Sequence, residues 1–223
     1  MHLKLTLLLL ITSNLLYSNE ITDYLNNLKN TGTSDFNKEI LILKNNSLNN
    51  LDNSLILFLN DSLPAVRNKS YYLIYKKGVS LSIAEQTTAV HILLNGCKDK
   101  NGGVIGKLLS YLNNFPSIVF DSNSKNKVND LLNQKKIYHY KKLAKLAGKI
   151  NTGTERLNKT FLDPNTSKKI KWISALALAR QGSIKHVNFC LNLIKDTPIN
   201  NNSVSYLIPD LIYTRKNLQL TIV

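Results

Sequence analysis

His186 and Cys190 lie four positions apart and are the first candidates for chemistry, because an imidazole and a thiol can both bind a metal ion. Residues at this spacing share one face of a helix. No further Cys, His or acidic pair stands nearby at ligand spacing, and two ligands alone do not make a zinc site. We therefore predict no metal site and interpret the pair as a packed thiol beside an exposed imidazole.

Two short motifs resemble catalytic signatures. Ser122–Lys125 matches the Ser-x-x-Lys motif of penicillin-binding enzymes without its companion motifs, and we expect it in a turn beside a helix cap. Gly102–Lys107 resembles a phosphate-binding loop, but Asn101 stands where the first glycine belongs and Leu108 replaces Ser or Thr. A helix start after a turn explains this segment better. We expect no catalytic residue and no cofactor, and we predict that the chain is not an enzyme.

The largest set of candidate binding residues is basic. Lys and Arg total 29 against 14 Asp and Glu, a net charge of +15, and 25 of the 29 are Lys. A Lys excess beside 30 Asn is typical of AT-rich coding bias, whereas phosphate-binding surfaces favour Arg. The densest set, named the Lys strip, consists of Lys135, Lys136, Lys141, Lys142, Lys145, Lys149, Lys168, Lys169 and Lys171.

Helices must position these residues, because 39 Leu with only nine Gly and five Pro in 223 residues is typical of a helical protein. Five residues close apolar helical segments at intervals of 34 or 35, and we expect left-handed helix caps there. They are Gly78, Asn113, Gly148, Gly182 and Asn217. A second helical segment follows within each period, and one begins with a capping box at Ser82 and Glu85. Neither helix of a pair can bury its apolar stripe alone, which predicts an all-α fold, an α-solenoid of stacked antiparallel helix pairs with a period of about 35 residues.

Two segments carry a more specific pattern: an aliphatic residue with Asp, then Val or Ile with Arg or Lys, then small apolar residues and Gly. The residues are Leu59, Asp61, Val66, Arg67 and Gly78 in one segment, and Leu162, Asp163, Ile170, Lys171, Ala175, Ala179 and Gly182 in the other. This pattern resembles HEAT repeats of the short bacterial kind. The chain is similar overall to uncharacterised secreted HEAT-repeat proteins of Bacteroidetes. The resemblance implies a protein–protein interaction scaffold without fixed catalytic residues.

The N-terminal segment predicts export. Lys4, an apolar run over 5–11 and a small residue at Ser18 fit a signal peptide over residues 1–18, and the run is too short to span a bilayer. The alternative is that residues 5–16 form a first buried helix. We expect a secreted or periplasmic protein with one HEAT-like α-solenoid domain over 19–223 and no transmembrane segment after cleavage. Its last period is half complete, which predicts truncation at the C-terminus.

The predicted stacking of helix pairs also indicates whether the two cysteines can form a disulfide. Cys97 and Cys190 belong to second helices three pairs apart, which at about 10 Å per helix layer places them roughly 30 Å apart. A disulfide cannot reach that far, so we expect both thiols to be buried and unpaired.

The aromatic residues offer one more candidate surface. Trp172 and the ten Tyr could stack on a ligand. Trp172, Tyr138 and Leu207 occupy equivalent repeat positions, however, and such recurrence favours packing between successive layers over ligand contact.

These observations lead us to expect an exported, non-enzymatic HEAT-repeat scaffold that binds a protein or peptide partner on its concave face through second-helix side chains. The alternative is electrostatic binding of an anionic polymer, nucleic acid or polysaccharide, by the Lys strip. More basic residues fall on first helices than on second helices, and second helices line the DNA groove of HEAT folds. Together with export, this argues against a nucleic-acid partner. An enzyme is the third interpretation.

Overall fold

The computed structural model describes residues 20–134 and 139–196, except the side chains of Asp52 and of residues 194–196. Every regular element in these ranges is a helix, which confirms the all-α prediction. None of the helices described there is long and apolar enough to cross a membrane. Several predicted features lie outside the described residues: the signal peptide over 1–18, Lys135, Lys136, Tyr138, and the last repeat with Leu207 and Asn217.

The chain divides into two compact units, and the first of them ends at Phe115. Its described helices are α1 (20–31), α2 (Phe36–Asn45), α3 (Leu48–Leu55), α4 (Pro64–Gly78), α5 (Ile83–Gly96) and α6 (Gly102–Leu112), with a short 3₁₀ helix at Phe58–Asn60. Helix α4 is central, because it contacts α2, α3, α5 and α6. Fully buried side chains, among them Tyr24, Leu73 and Leu93, fill the space between these helices. The predicted capping box begins α5.

Gly78 ends α4, but it is not the left-handed cap that the sequence predicts. Its φ is not positive, and a Cβ added there would lie 2.6 Å from Ala89 Cβ and 3.3 Å from the Phe115 ring. Glycine therefore allows α4 to approach α5 and the residues after α6 closely. The predicted cap at Asn113 is also wrong, since its φ of −66° is right-handed.

The second unit begins at Pro116, and α10 is its central helix. The helices are α7 (Ser122–Asn133), α8 (Tyr140–Ile150), α9 (Thr154–Leu162), α10 (Lys168–Arg180) and α11 (Ile184–Asp196), after a 3₁₀ helix at Ser117–Val119. Helix α10 contacts α8, α9 and α11, while α7 packs against α8. The side chains of α10 over 173–179 are all buried, which its run of alanines and leucines explains.

Helices α8 and α10 approach at Gly148, where an added Cβ would lie 2.9 Å from both Cα and O of Ala177. Gln181 ties the ends of the two helices together, because its Nε2 donates to the carbonyls of Ala147 at 3.2 Å and Thr152 at 2.7 Å. Near the other end of α8, the hydroxyls of Tyr140 and Ser174 are 2.8 Å apart and hydrogen-bonded.

The left-handed caps of this unit follow the prediction at one position. Gly182 has a φ of 93°, as predicted. Helix α8 instead continues past Gly148 to Ile150, and Asn151, whose φ of 55° is left-handed, is its C-cap. The predicted cap at Gly148 is therefore wrong, and that glycine serves helix packing as Gly78 does.

Within each unit, helices that the repeat assigns to successive first positions contact each other: α4 with α6, and α8 with α10. Helix α5 also packs against both α4 and α6. The predicted repeat expects this of the second helix of a pair, which lies between two first helices. The longer-range features, a solenoid of stacked pairs and a single domain over 19–223, remain predictions.

Candidate functional site

Seven residues of the Lys strip lie in the described part of the chain, on α8 and α10. Lys141, Lys145 and Lys149 follow one another at four-residue steps and so share one face of α8. At the start of α10, Lys168 and Lys169 are exposed. The two remaining residues, Lys142 and Lys171, are partly buried.

Arg180 lies near the Lys strip, and the sequence analysis did not include it. Burial lowers the pKa of Lys149, and the positive charges of Lys145 and Arg180 lower it further. Arg180 is the last residue of α10, so two adjacent helices bring three cations together at their C-terminal ends. Such a cluster attracts anions, and Arg can hold a carboxylate or phosphate with two parallel hydrogen bonds.

The most developed surface of the first unit is aromatic. We define the tyrosine surface as Tyr72 and Tyr75 of α4 and Tyr111 of α6, all of them partly buried. Tyr75 and Tyr111 stack with ring centroids 4.7 Å apart and an angle of 7° between the rings. Tyr72 lies 6.1 Å from Tyr111, and Phe115 meets Tyr75 edge-on at 6.0 Å. The Asn114 side-chain amide donates a 2.9 Å hydrogen bond to the Tyr75 hydroxyl.

Two lysines adjoin this surface. The ammonium of Lys69 lies 4.6 Å from the centroid of the Tyr72 ring, and that of Lys76 lies 5.6 Å from it. Lys69 is held from the other side by an ion pair with Glu39, a buried carboxylate of α2 that also accepts a 3.2 Å hydrogen bond from the Tyr24 hydroxyl. The lysine charge thus has a fixed position over an aromatic face, which is favourable for cation–π attraction.

Two phenols of the surface, those of Tyr72 and Tyr111, stay neutral near pH 7. Burial raises the pKa of Tyr111 to about 12. Burial, followed by the negative charge of Glu39, also raises the pKa of Tyr72. Their hydroxyls can therefore donate as well as accept hydrogen bonds to a partner.

The sequence analysis missed this cluster, although a signal is present. Tyr75 and Tyr111 are 36 residues apart, close to the repeat period, so they occupy similar places in successive first helices. Trp172 behaves differently, because it packs against a buried cluster of Ala175, Leu176 and Cys190 in the second unit. Trp172 therefore packs against α10 and α11, while the predicted packing between successive layers stays a prediction.

The imidazole of His186 is buried, at 4% exposure, so its predicted exposure is wrong. Phe161 explains the burial, because its ring meets the imidazole edge-on at 4.8 Å. The Ser183 hydroxyl is hydrogen-bonded to Nδ1 at 2.7 Å, while Nε2 contacts no hydrogen-bonding group among the described residues. Burial lowers the pKa of His186, and Lys185 lowers it further.

Cys190 and Cys97 are both buried and free, and burial raises each thiol pKa to about 12. Neither is a reactive thiolate at neutral pH. Within the described ranges, no group of three or more His, Cys, Asp or Glu side chains could hold a metal ion.

The two motif-like segments are helix starts. Asn101 caps α6 by accepting hydrogen bonds from the backbone N–H groups of Gly103 and Val104, as predicted for the glycine-rich segment. Ser122–Lys125 lies inside the first turn of α7 rather than in a turn before it, because Asp121 is the cap.

No protein-family model and no curated protein matches the chain. The resemblance to HEAT repeats therefore stays a prediction, and function must be argued from the surfaces described above.

Proposed function

We propose that the chain is an exported, non-enzymatic HEAT-like α-solenoid that binds a protein or peptide partner, and that the tyrosine surface is its contact site. The observation that carries the proposal is the stack of Tyr75 on Tyr111, partly exposed and bordered by Tyr72 and Lys76. Tyrosines offer large contact areas at low cost in side-chain entropy, and they are enriched at interfaces between proteins.

Contacts within the protein favour this surface further because they hold its side chains in place before a partner arrives. Tyr75 is fixed by the Tyr111 ring and by Asn114, and Tyr72 lies beneath Lys69, which is itself paired with Glu39. Pre-ordered side chains lose little freedom on binding. The surface belongs to α4 and α6, which the predicted repeat assigns as first helices, whereas the sequence analysis placed the partner on second helices.

The experiment is panning of a phage-displayed random peptide library against the full chain, followed by affinity measurement on the enriched peptides. Tyr72→Ala with Tyr111→Ala should weaken binding at least tenfold, because truncating a central aromatic side chain at an interface costs about 2 kcal/mol or more. The matched control is Phe36→Ala with Ile56→Ala, which removes side chains that are 68% and 60% exposed elsewhere in the same unit.

Two outcomes would contradict the proposal. One is that panning enriches no peptide. The other is that enriched peptides bind the Tyr72→Ala, Tyr111→Ala variant as tightly as the unaltered chain. Thermal unfolding of both double variants shows whether a loss of binding reflects a loss of fold.

A second function, binding of an anionic polymer, is favoured by the convergence of Lys145, Lys149 and Arg180. Heparin or duplex DNA should then bind in dilute buffer, with an affinity that falls steeply as salt rises. Lys141→Glu with Lys145→Glu should weaken binding and reduce the slope against salt by about two. Salt-sensitive binding that survives this change, or no binding in dilute buffer, would contradict it.

A further inference from the structure

A polar cleft of about 350 Å³ opens in the first unit beside the start of α4, apart from the tyrosine surface. Its walls come from α4, from the residues that precede it, from the end of α5 and from the loop before α6. The lining residues are Leu59, Asn60, Asp61, Arg67, Tyr71, Asn95, Gly96, Lys98, Asp99 and Lys100. A volume of this size is at the lower end of small-ligand sites.

The carboxylates of the cleft are already occupied by cations and N–H donors. Arg67 binds Asp99 through two hydrogen bonds, Nε to Oδ2 at 2.6 Å and Nη2 to Oδ1 at 2.8 Å. Asp61 accepts from Lys29 Nζ at 2.8 Å and from the backbone N–H of Leu63 at 2.8 Å. Because cations and N–H groups occupy these oxygens, the cleft is poorly suited to a metal ion or an amine.

Three donors that line the cleft, on Tyr71, Lys98 and Lys100, are in contrast unused by the described residues. The Tyr71 hydroxyl makes no hydrogen bond with a described residue, although its ring is buried against Gly96. The ammonium groups of Lys98 and Lys100 likewise form no hydrogen bond or ion pair within the part of the chain that the structure describes. Burial raises the pKa of Tyr71, so its hydroxyl keeps the proton that it would donate.

Glycine at position 96 makes this arrangement possible. A Cβ there would lie 2.5 Å from Cζ and 2.7 Å from the hydroxyl oxygen of Tyr71. Arg67, fixed by Asp99 and by the main-chain oxygens of Asp61 and Ser62, forms a rigid wall beside the ring. The phenol is thus held at the cleft, while the two exposed lysines provide positive charge at its edge.

We propose that this cleft is a binding site for the oxyanion group, carboxylate or phosphate, of a small ligand. The Tyr71 hydroxyl and the ammonium groups of Lys98 and Lys100 donate the hydrogen bonds. Counting Arg67, Lys29, Lys98 and Lys100 against Asp61 and Asp99, the charged groups in and around the cleft sum to +2, which complements a ligand of charge −1 or −2.

The test is isothermal titration calorimetry of the full chain at low ionic strength, with inorganic phosphate and succinate as separate probes. At least one probe should bind, and the one that binds identifies phosphate or carboxylate as the preferred group. Tyr71→Phe should weaken binding about tenfold, since a hydrogen bond to a charged group is lost. Lys98→Gln with Lys100→Gln should weaken it more.

Two further variants separate this site from general charge attraction. Lys38→Gln with Lys44→Gln removes the same charge from exposed positions of α2 and should leave binding unchanged. Gly96→Ala keeps every charge but displaces the Tyr71 ring, so it should weaken binding. The proposal is overturned if neither probe binds, if Tyr71→Phe and Lys98→Gln with Lys100→Gln bind normally, or if the α2 control loses as much affinity. The tyrosine surface shares none of these residues, so either proposal can fail alone.

Discussion

The ion pair between Arg67 and Asp99 allows a quantitative prediction about stability. The Arg67 side chain is 4% exposed and donates four hydrogen bonds, two to Asp99 and two to main-chain oxygens. In Arg67→Met the Asp99 carboxylate, itself 5% exposed, stays buried without its cation. Removing one partner of a buried pair costs about 3–5 kcal/mol, so the free energy of unfolding should fall by that amount.

A double variant separates the loss of the pair from the cost of the uncompensated charge. Replacing both members of a buried pair by apolar side chains is often nearly neutral, so Arg67→Met with Asp99→Leu should recover most of the loss. Recovery is incomplete because the backbone N–H of Asn101 loses its 2.7 Å hydrogen bond to Asp99, which costs about 1 kcal/mol or more. The control is the more exposed pair of Lys29 and Asp61, whose side chains are 42% and 9% exposed, and Lys29→Met should cost clearly less, about 1 kcal/mol.

The assay is urea unfolding followed by circular dichroism at 222 nm, with linear extrapolation to water. Acid provides a second readout. Burial opposes ionisation of Asp99, but the hydrogen bonds from Arg67 outweigh it and hold its pKa below the ordinary value. The stabilisation is therefore complete above the ordinary pKa of Asp, and it is lost as pH falls through the lower value of the folded state. The reasoning is refuted if Arg67→Met costs no more than Lys29→Met, or if the double variant is no more stable than Arg67→Met alone.

Three other changes test the packing and the buried histidine. Gly148→Ala should destabilise the second unit by about 1–3 kcal/mol because the new Cβ meets the Ala177 backbone. Gly103→Ala meets only the capping oxygen of Asn101, at 3.0 Å, and should cost less in the same urea assay. Gly182→Ala should cost about 1 kcal/mol at a φ of 93°, and Gly182→Asn should cost less. Burial lowers the pKa of His186, so the unfolded chain binds the proton more readily and stability should fall as pH drops below the ordinary histidine value of about 6.5. His186→Gln should flatten stability between about pH 7 and pH 5, and an unchanged slope would exclude His186 as its source.

The sequence predicted the features of the fold that depend on residues close together in the chain. The all-α class follows from composition and apolar periodicity, and the capping box at Ser82 and Glu85 follows from two residues three positions apart. The helix start at Asn101 and the left-handed Gly182 likewise depend on a few neighbouring residues. These features need no knowledge of what packs against them.

The features that the sequence analysis missed depend on contacts between helices. Tyr75 stacks on Tyr111 only because α4 and α6 pack in one particular register. His186 is buried because Phe161 reaches it from α9, and the charge of Arg180 acts on Lys149 because α8 and α10 lie side by side. Periodicity indicates which helices are equivalent, but it does not fix the distances between their side chains.

Gly78 and Gly148 belong to the repeat pattern and lie on helices that carry the candidate binding surfaces. Gly78 and Gly148 recur with the period, yet both are helical residues at which a Cβ would collide with a neighbour, Ala89 in one case and the Ala177 backbone in the other. The recurring requirement at these two positions is therefore close approach between helices rather than chain reversal. Close packing of helices also sets the 4.7 Å between the ring centroids of Tyr75 and Tyr111 and brings the charge of Lys149 near Arg180. If packing distance governs these surfaces, Gly148→Ala should disturb the Lys149 and Arg180 cluster while leaving the tyrosine surface of the first unit intact, and binding of heparin and of the enriched peptides measures the two effects separately.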